Sequence, residues 1–274
     1  MFAQFIMLVS LSNVAQASID PECQSIADQG PPSDYSETDQ ADYLLNFFSM
    51  ATTLSPLHSA VPGPSGHGTV GLELAIIPPL GCERRLVLSY TKTEDTNKAP
   101  VAPKPRIGFV FPEILGVTPY GGLAYVPPVT VFGTRNVIMS GEFGVGKATE
   151  SGLEYGARYH TTLMKTVADI ATPFVEGEET VDDFYVGSTF GLDAIFGYQT
   201  ESVTPYVAVG FTDASTFFYI GDTGVVSNNL TPYAGLTSSV GAQMVVGESI
   251  DLAAEFYTAP SIIYTGRLRG SYAF

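Results

Sequence analysis

The closing stretch Tyr264-Thr265-Gly266-Arg267-Leu268-Arg269-Gly270-Ser271-Tyr272-Ala273-Phe274 alternates without a break. Tyr264, Gly266, Leu268, Gly270, Tyr272 and Phe274 fall on one face, and Thr265, Arg267, Arg269, Ser271 and Ala273 on the other. Successive side chains of a strand point to opposite faces, so this segment reads as a strand between two unlike environments. One face is aromatic and apolar; the other carries two guanidinium groups.

The pattern continues upstream. In 249–258, Ile250, Leu252, Ala254 and Phe256 oppose Asp251, Ala253, Glu255 and Tyr257. In 151–163, Leu153, Tyr155, Ala157, Tyr159 and Leu163 oppose Glu154, Gly156, Arg158, His160 and Thr162. In 137–147, Val137, Met139, Phe143 and Val145 oppose Ser140, Glu142, Gly144 and Gly146. Segments 184–198, 203–213 and 231–246 alternate with fewer charges, and weaker strands fit 69–77, 84–92, 105–111 and 118–126. Many of these exceed the usual strand length of about 5–6 residues and match the roughly 9–11 residues needed to cross a bilayer. The links 148–151, 199–202 and 247–249 are tight, whereas 165–183 and 214–230 are long.

Composition agrees. The chain has 274 residues, 45% hydrophobic but only 15% charged, against roughly 25% charged in a soluble domain. A net charge of −16 is the wrong sign for neutralising phosphates and excludes nucleic acid as a partner. Apolar and aromatic content excludes a disordered chain. No run of about 18 apolar residues is present, so a helical span is excluded too. A secreted β-sandwich also alternates, but with shorter strands and a more charged surface.

On these residues the sequence resembles bacterial outer-membrane β-barrel proteins. The resemblance covers 69–274 and is carried by the alternation and by the end of the chain, with Phe274 terminal and Tyr272 and Leu268 on its face. It implies an all-β, antiparallel transmembrane barrel in the bacterial outer membrane, surrounded by lipid and lipopolysaccharide. It also implies that Leu268, Tyr272 and Phe274 are the signal read by the barrel-assembly machinery. Eleven segments are visible, and an even number is required when both ends lie in the periplasm. The expectation is about twelve strands, with ten and fourteen open. The twelfth is sought at 42–54 or 129–133. Leu44, Phe47, Phe48, Ala51 and Leu54 recur at helical spacing, so 42–54 reads better as an amphipathic helix plugging the lumen or lying at the periplasmic mouth. An N-terminal plug is also a feature of fatty-acid-transporter-like barrels, although no motif of that group can be placed on this chain.

The N-terminus reads as an export signal over 1–17. An apolar run, Phe5 to Leu11, precedes Ala15-Gln16-Ala17, a small-x-small cleavage pattern, without the usual basic residue ahead of it. Residues 18–68 then form a periplasmic or lumenal segment whose stretch 55–68 is a Pro/Gly loop. Export puts Cys23 and Cys82 in an oxidising compartment, where the two cysteines allow one disulfide. With 42–54 as the first strand, that disulfide lies on the periplasmic side; with 42–54 helical, it staples the segment to the barrel rim.

If the apolar faces meet lipid, Glu142, Glu154, Arg158, His160, Asp251, Glu255, Arg267 and Arg269 line the lumen. Folding the hairpins brings Glu142 to Arg158 and Asp251 to Arg269, with Glu255 and Arg267 nearby. Such pairs either select solutes at a constriction or fill a narrow barrel with salt bridges. Other motifs are weaker. His58 and His67 share one loop and read as solvated. His160 reads as a packed lumen residue rather than an acid or base. Gly141-x-x-x-x-Gly146-Lys147 has Ala148 where a phosphate loop needs Ser or Thr, and ends in a hairpin. Asp222-Thr223-Gly224 occurs once, where aspartic-protease chemistry needs a carboxylate pair. The acidic run Glu176, Glu178, Glu179, Asp182 and Asp183 is a weak divalent-cation candidate beside the reading of a solvated loop. Phe217-Phe218-Tyr219-Ile220 reads as aromatic girdle before hydrophobic capture site. No catalytic constellation and no cofactor site stands out. The expected function is passive passage of small or partly hydrophobic solutes. The alternative is a non-conducting structural or adhesive barrel, and a membrane hydrolase comes third.

Overall fold

The structure is a computed structural model that describes residues 19–94, 97, 100–131, 134–168, 183–220, 225–228, 232–247 and 249–274. In chain order, a 3-10 turn Pro21–Cys23 and the short α1 (Gln24–Ala27) precede α2 (Glu37–Thr52). Then come β1 (Gly68–Ile76), α3 (Cys82–Arg85), β2 (Leu86–Val87), β3 (Lys92–Thr93), β4 (Val101–Val110), β5 (Thr118–Val131), β6 (Thr134–Ala148) and β7 (Leu153–Ala168). β8 (Asp183–Tyr198), β9 (Thr204–Ile220), β10 (Val225–Asn228), β11 (Ala234–Val246), β12 (Ile250–Ala259) and β13 (Ile263–Ala273) complete it.

The main sheet has eleven strands in the order β10-β9-β11-β12-β13-β1-β4-β5-β6-β7-β8, and β8 also pairs with β9. That last pairing closes the sheet. Because β10 pairs only with β9, ten strands form the barrel wall, at the low end of the ten-to-fourteen range. All its pairings are antiparallel. First and last strands meet in register, Glu73 opposite Arg269 and Leu74 opposite Leu268. Gly68 and Phe274 exchange both backbone hydrogen bonds at 3.0 Å, which seals the seam at the chain terminus. Closure leaves no edge strand in the ring, as a sheet in hydrocarbon requires.

One expected strand is corrected. Residues 84–92 do not enter the wall; they form the end of α3 and a small β2–β3 ribbon. The alternation there breaks at Leu88, Ser89 and Tyr90, which all adopt positive φ. The Glu37 carboxylate accepts the Leu88 and Ser89 amides at 2.7 and 2.9 Å, fixing that left-handed turn.

The two ends of the barrel differ. Four short turns (111–117, 149–152, 199–203 and 247–249) share one end with Gly68 and Phe274. β1, β7 and β9 end at the other, the loop end, where the links to the next wall strand are longer in sequence. The outer face is an apolar belt: Leu123, Phe143, Phe190, Leu192, Phe211 and Phe256 are all exposed. Exposed Tyr155, Tyr198 and Tyr272 flank it near the turn end, and Tyr125 and Tyr264 near the loop end. An apolar band between aromatic girdles is the surface a bilayer dictates.

α2 begins at Ser36, whose hydroxyl accepts the Asp39 amide at 3.2 Å, with Glu37 and Asp39 in the first turn where the helix dipole favours them. It lies inside the loop end of the barrel. Phe47, Met50 and Ala51 pack against Ala214, Tyr257, Ala259 and Ile263, while Leu45 meets Ile138 and Met164. The helix reading of 42–54 holds, but its place is the loop end, not the end that carries Phe274.

Candidate functional site: a lumen filled by the chain itself

α2 starts at the loop end and β1 at the turn end, so residues 53–67 must cross the lumen between them. They do so as an extended strap. Leu54, Leu57, His58, Ser59 and Ala60 are buried. An extended segment has no internal ladder, so its buried backbone groups need partners elsewhere. The wall supplies them.

Cations take the carbonyls. Lys104 Nζ donates to the Thr52 oxygen at 3.1 Å and Arg106 donates to those of Ser55 and Pro56 at 3.2 and 2.9 Å. Arg158 Nη2 donates to the Leu54 oxygen at 2.8 Å, and Arg267 to those of Thr53 and Met50 at 2.5 and 3.2 Å. Acceptors take the amides. Glu255 accepts the Leu57 N–H at 3.1 Å, Gln243 that of Ser59 at 3.0 Å and Glu154 that of Val61 at 3.3 Å. Leu57 has φ of 51°, a conformation disfavoured for a branched residue, and its amide is the one Glu255 holds.

The same side chains pair with one another. Glu142 accepts from Arg106 Nη2 at 2.5 Å and from Arg158 Nε at 2.6 Å. Arg158 Nη1 reaches Asp193 at 2.6 Å. Glu73 sits 3.1 Å from Lys104, 3.4 Å from Arg106 and 3.8 Å from Arg267. Arg269 pairs with Asp251, which also accepts from Gln243 at 3.1 Å. All of these carboxylates and cations are withdrawn from bulk water; Arg158 is 1% and Arg267 0% exposed. Buried charges persist only when paired and hydrogen-bonded, and here each guanidinium that grips the strap also faces a carboxylate.

Of the eight positions read from alternation, Glu154, Arg158, His160, Asp251, Glu255, Arg267 and Arg269 are buried and Glu142 is half-buried. Glu255 and Arg267 are register partners, yet each is engaged elsewhere: Glu255 by Leu57 and Tyr206, Arg267 by the strap and by the Tyr257 ring, 4.4 Å away. Sequence reasoning missed Glu73, Lys104, Arg106 and Asp193. For Glu73 and Asp193 the signal was present, an inward charge in an otherwise apolar stretch; in β4 the two cations are interleaved with Pro103 and Pro105. His58 is corrected: it is not solvated but buried, with Nε2 3.5 Å from Glu142 and its ring edge-on to Tyr120. His67 is exposed at the turn end. His160 lies 3.6 Å from Asp193, and its Nδ1 has no hydrogen-bond partner. Below the strap, a small recess of about 60 Å³ opens at the turn end, lined by His58, Arg106, Glu142, Asp251 and Arg269.

Gly146, part of the rejected phosphate-loop pattern, has a packing role instead. A Cβ there would lie 2.0 Å from the Ala60 carbonyl oxygen, so only glycine lets the strap pass. The acidic run falls outside the described residues except for Asp183, whose backbone opens β8. Asp222 and the export signal are outside them as well. Phe217–Ile220 lie in β9 and pair with both β8 and β10.

At the loop end the N-terminal segment is closed onto the β1–β4 connection. Cys23 and Cys82 form a disulfide with Cα atoms 5.3 Å apart. Beside it Arg85 pairs with Asp20 and Glu22. Burial, and then the Glu37 carboxylate that its hydroxyl bonds at 2.7 Å, push the Tyr35 phenol above its ordinary range. With 42–54 helical, the disulfide ties the N-terminal segment to the β1–β4 connection at the end opposite Phe274.

No family model and no curated protein matches the sequence. Among solved structures, the β domain of the Bordetella autotransporter BrkA aligns over 77% of this chain and 100% of its own, at 12% identity and a TM-score of 0.42. The translocator domain of NalP from Neisseria meningitidis aligns over 77% and 90%, at 10% identity and 0.41. The Pseudomonas putida toluene transporter TodX aligns over 84% and 75%, at 10% identity and 0.37. At these values none of their roles transfers to this chain. The closed antiparallel ring, the apolar belt between tyrosine girdles and the polar interior give this chain the fold and surface of a membrane-spanning β-barrel.

Proposed function

We propose that this protein is a plugged barrel that holds its own lumen shut to ions and hydrophilic solutes and presents a disulfide-closed N-terminal cap at its outer mouth. The observation that carries this is the strap, whose carbonyls, from Thr53 on, are gripped by Lys104, Arg106, Arg158 and Arg267 while Glu154, Gln243 and Glu255 hold its amides. A water-filled pore would leave those charges hydrated. In this reading residues 1–17 are an export signal and Leu268, Tyr272 and Phe274 the assembly signal. The short turns face the periplasm and the loop end faces outward, among lipopolysaccharide.

Planar-bilayer conductance of refolded, heat-modifiable protein tests it. The wild type stays silent, and Arg158→Ala/Arg267→Ala, which frees the strap at two points, gives discrete steps. Regular open steps from the wild type overturn the proposal.

A second reading, gated passage of small apolar solutes, is favoured by one feature. The loop-side half of the lumen is apolar where α2 presents Leu45 and Phe48 toward Val126, Ile138 and Met164. No comparable support exists for the hydrolase. His160 is wedged beside Asp193, and among the described residues no serine bonds to it.

A further inference from the structure

We propose that the barrel wall has a lateral opening between β4 and β5, on the loop-end half, through which a hydrocarbon chain reaches the apolar face of α2. This extends the apolar-passage reading to a route, and it holds whether or not the strap moves.

The hydrogen-bonded wall stops there. β4 pairs with β1 along its whole length, from Gly68 opposite Phe109 to Ile76 opposite Val101. β5 pairs with β6 as far as Val131 opposite Thr134. The ladder between β4 and β5 runs only from Val110 opposite Tyr120 to Arg106 opposite Ala124. Beyond it, Val101–Pro105 and Tyr125–Val131 face each other without pairing. Every other neighbouring pair in the ring is joined over seven or more register positions.

The sequence accounts for the gap. In an antiparallel strand, alternate residues direct their backbone groups to alternate neighbours. The Val110 amide bonds His67 on the β1 side, and the Phe111 amide bonds the Pro119 oxygen on the β5 side. Odd-numbered positions of β4 therefore face β5, and Pro103 and Pro105 are both odd. Likewise the Pro119 oxygen faces β4, so odd positions of β5 do, up to Pro127. Proline has no N–H, so three donors are missing on the two facing edges. Pro127 and Pro128 also stand where the β5–β6 register slips by one residue, between Val126 and Val129, a bulge that bends β5. In hydrocarbon an unpaired N–H is costly, and proline removes it. The prolines thus prevent zipping and reduce the number of unpaired donors on the open edges.

The lining selects the occupant. The facing segments 101–105 and 125–131 hold one charge, Lys104, and it is turned inward onto Glu73 and the Thr52 oxygen. Behind the gap, Val126 packs with Leu45, Phe48, Ile138 and Met164. Outside it lies the bilayer. Apart from Lys104 the two segments carry no charge, so the path suits an uncharged hydrocarbon chain, whereas an ionic headgroup would meet no opposite charge. The chain can belong to a bilayer lipid or to a small apolar solute.

The protein contains no tryptophan, so a single one reports without background. Phe48→Trp is placed behind the gap, Phe196→Trp on the lipid face and Phe47→Trp in the packed cluster on the other side of α2. Each refolded variant is measured in bilayers with and without acyl-brominated phospholipid, and then with a brominated aromatic solute. Phe196→Trp loses most of its emission to the brominated lipid and Phe47→Trp keeps it. Phe48→Trp loses emission to the lipid if the chain is a lipid's, or to the solute alone if it is not. Adding Pro103→Val, Pro105→Val and Pro127→Val restores the donors and protects Trp at 48. Phe48→Trp unquenched by either probe overturns the proposal. So does quenching that the three valines leave unchanged, since access would then be through the loop mouth. Neither result bears on bilayer conductance, which tests the plug separately.

Discussion

The guanidinium of Arg158, on the barrel wall, donates to the carbonyl oxygen of Leu54, on the strap, at 2.8 Å across 104 residues of sequence. The same group pairs with Glu142 and Asp193. Arg158→Ala therefore leaves Asp193 without its guanidinium and Glu142 with that of Arg106 alone. Removing one partner of a buried pair costs about 3–5 kcal/mol, because the remaining charge is uncompensated. Urea unfolding followed by loss of the heat-modifiable band should register a loss of that size. Arg158→Lys restores charge but not a three-way fork, and should recover part of it. Lys147→Ala, on an exposed side chain, should stay within about 0.5 kcal/mol.

Gly146 gives a test of the strap that leaves the charges alone. An added Cβ would stand 2.0 Å from the Ala60 carbonyl oxygen, a backbone atom that cannot swing aside. Gly146→Ala should cost about 1–3 kcal/mol, the range for overpacking. Gly141→Ala, in the same strand, meets the Leu123 side chain at 3.5 Å and the Gly122 carbonyl oxygen at 3.9 Å, both ordinary contacts, and should be near neutral. Equal stability of the two variants would show that the strap does not pass Gly146.

The disulfide acts on the cap more than on the strap. Cys23 and Cys82 close a sequence separation of 59, and loops of this size are stabilised by about 2–4 kcal/mol. In Cys23→Ser/Cys82→Ser that term is lost. The cap still has the Arg85 pairs with Asp20 and Glu22, and the strap keeps every wall contact. Limited proteolysis should cut within 19–36 faster than in wild type, while bilayers remain silent. Conductance appearing on disulfide loss alone would mean that the cap, not the wall cations, holds the plug.

How much of this was legible depends on whether the information is local. Alternation is local, so β6, β7, β12 and β13 could be read directly, as could the inward position of Arg158, Arg267 and Arg269. The failed strand at 84–92 had alternation but not environment: Leu88, Ser89 and Tyr90 turn left-handed around a carboxylate from Glu37, about fifty residues away. No local pattern carries that. The strap was read as a loop because Pro and Gly usually mark one. Its buried Leu54, Leu57 and Ala60 were visible as apolar residues, but their burial depends on a barrel built from everything after them. Lys104 and Arg106 were hidden for a related reason. They alternate with Pro103 and Pro105, and proline argues against a central strand. The argument was sound, since β4 is unpaired toward β5 at those two positions.

Orientation follows from the unequal ends and can be measured directly. Ser25 lies in α1 on the loop end and is exposed, whereas Glu150 lies in the turn between β6 and β7 and is exposed at the other. Outer-membrane barrels keep short turns inside and long loops outside. Single cysteines are introduced as Ser25→Cys and Glu150→Cys in the Cys23→Ser/Cys82→Ser background. A membrane-impermeant maleimide added to intact cells should label the first and reach the second only after the outer membrane is broken. That result means residues 19–36 stand at the outer mouth while β1 starts at the periplasmic rim, so the N-terminal segment has passed through the barrel that follows it. The strap is then what remains in the lumen after that passage, held by the four cations that face it. The reverse labelling pattern would place the cap in the periplasm and remove the outer mouth from the proposed function.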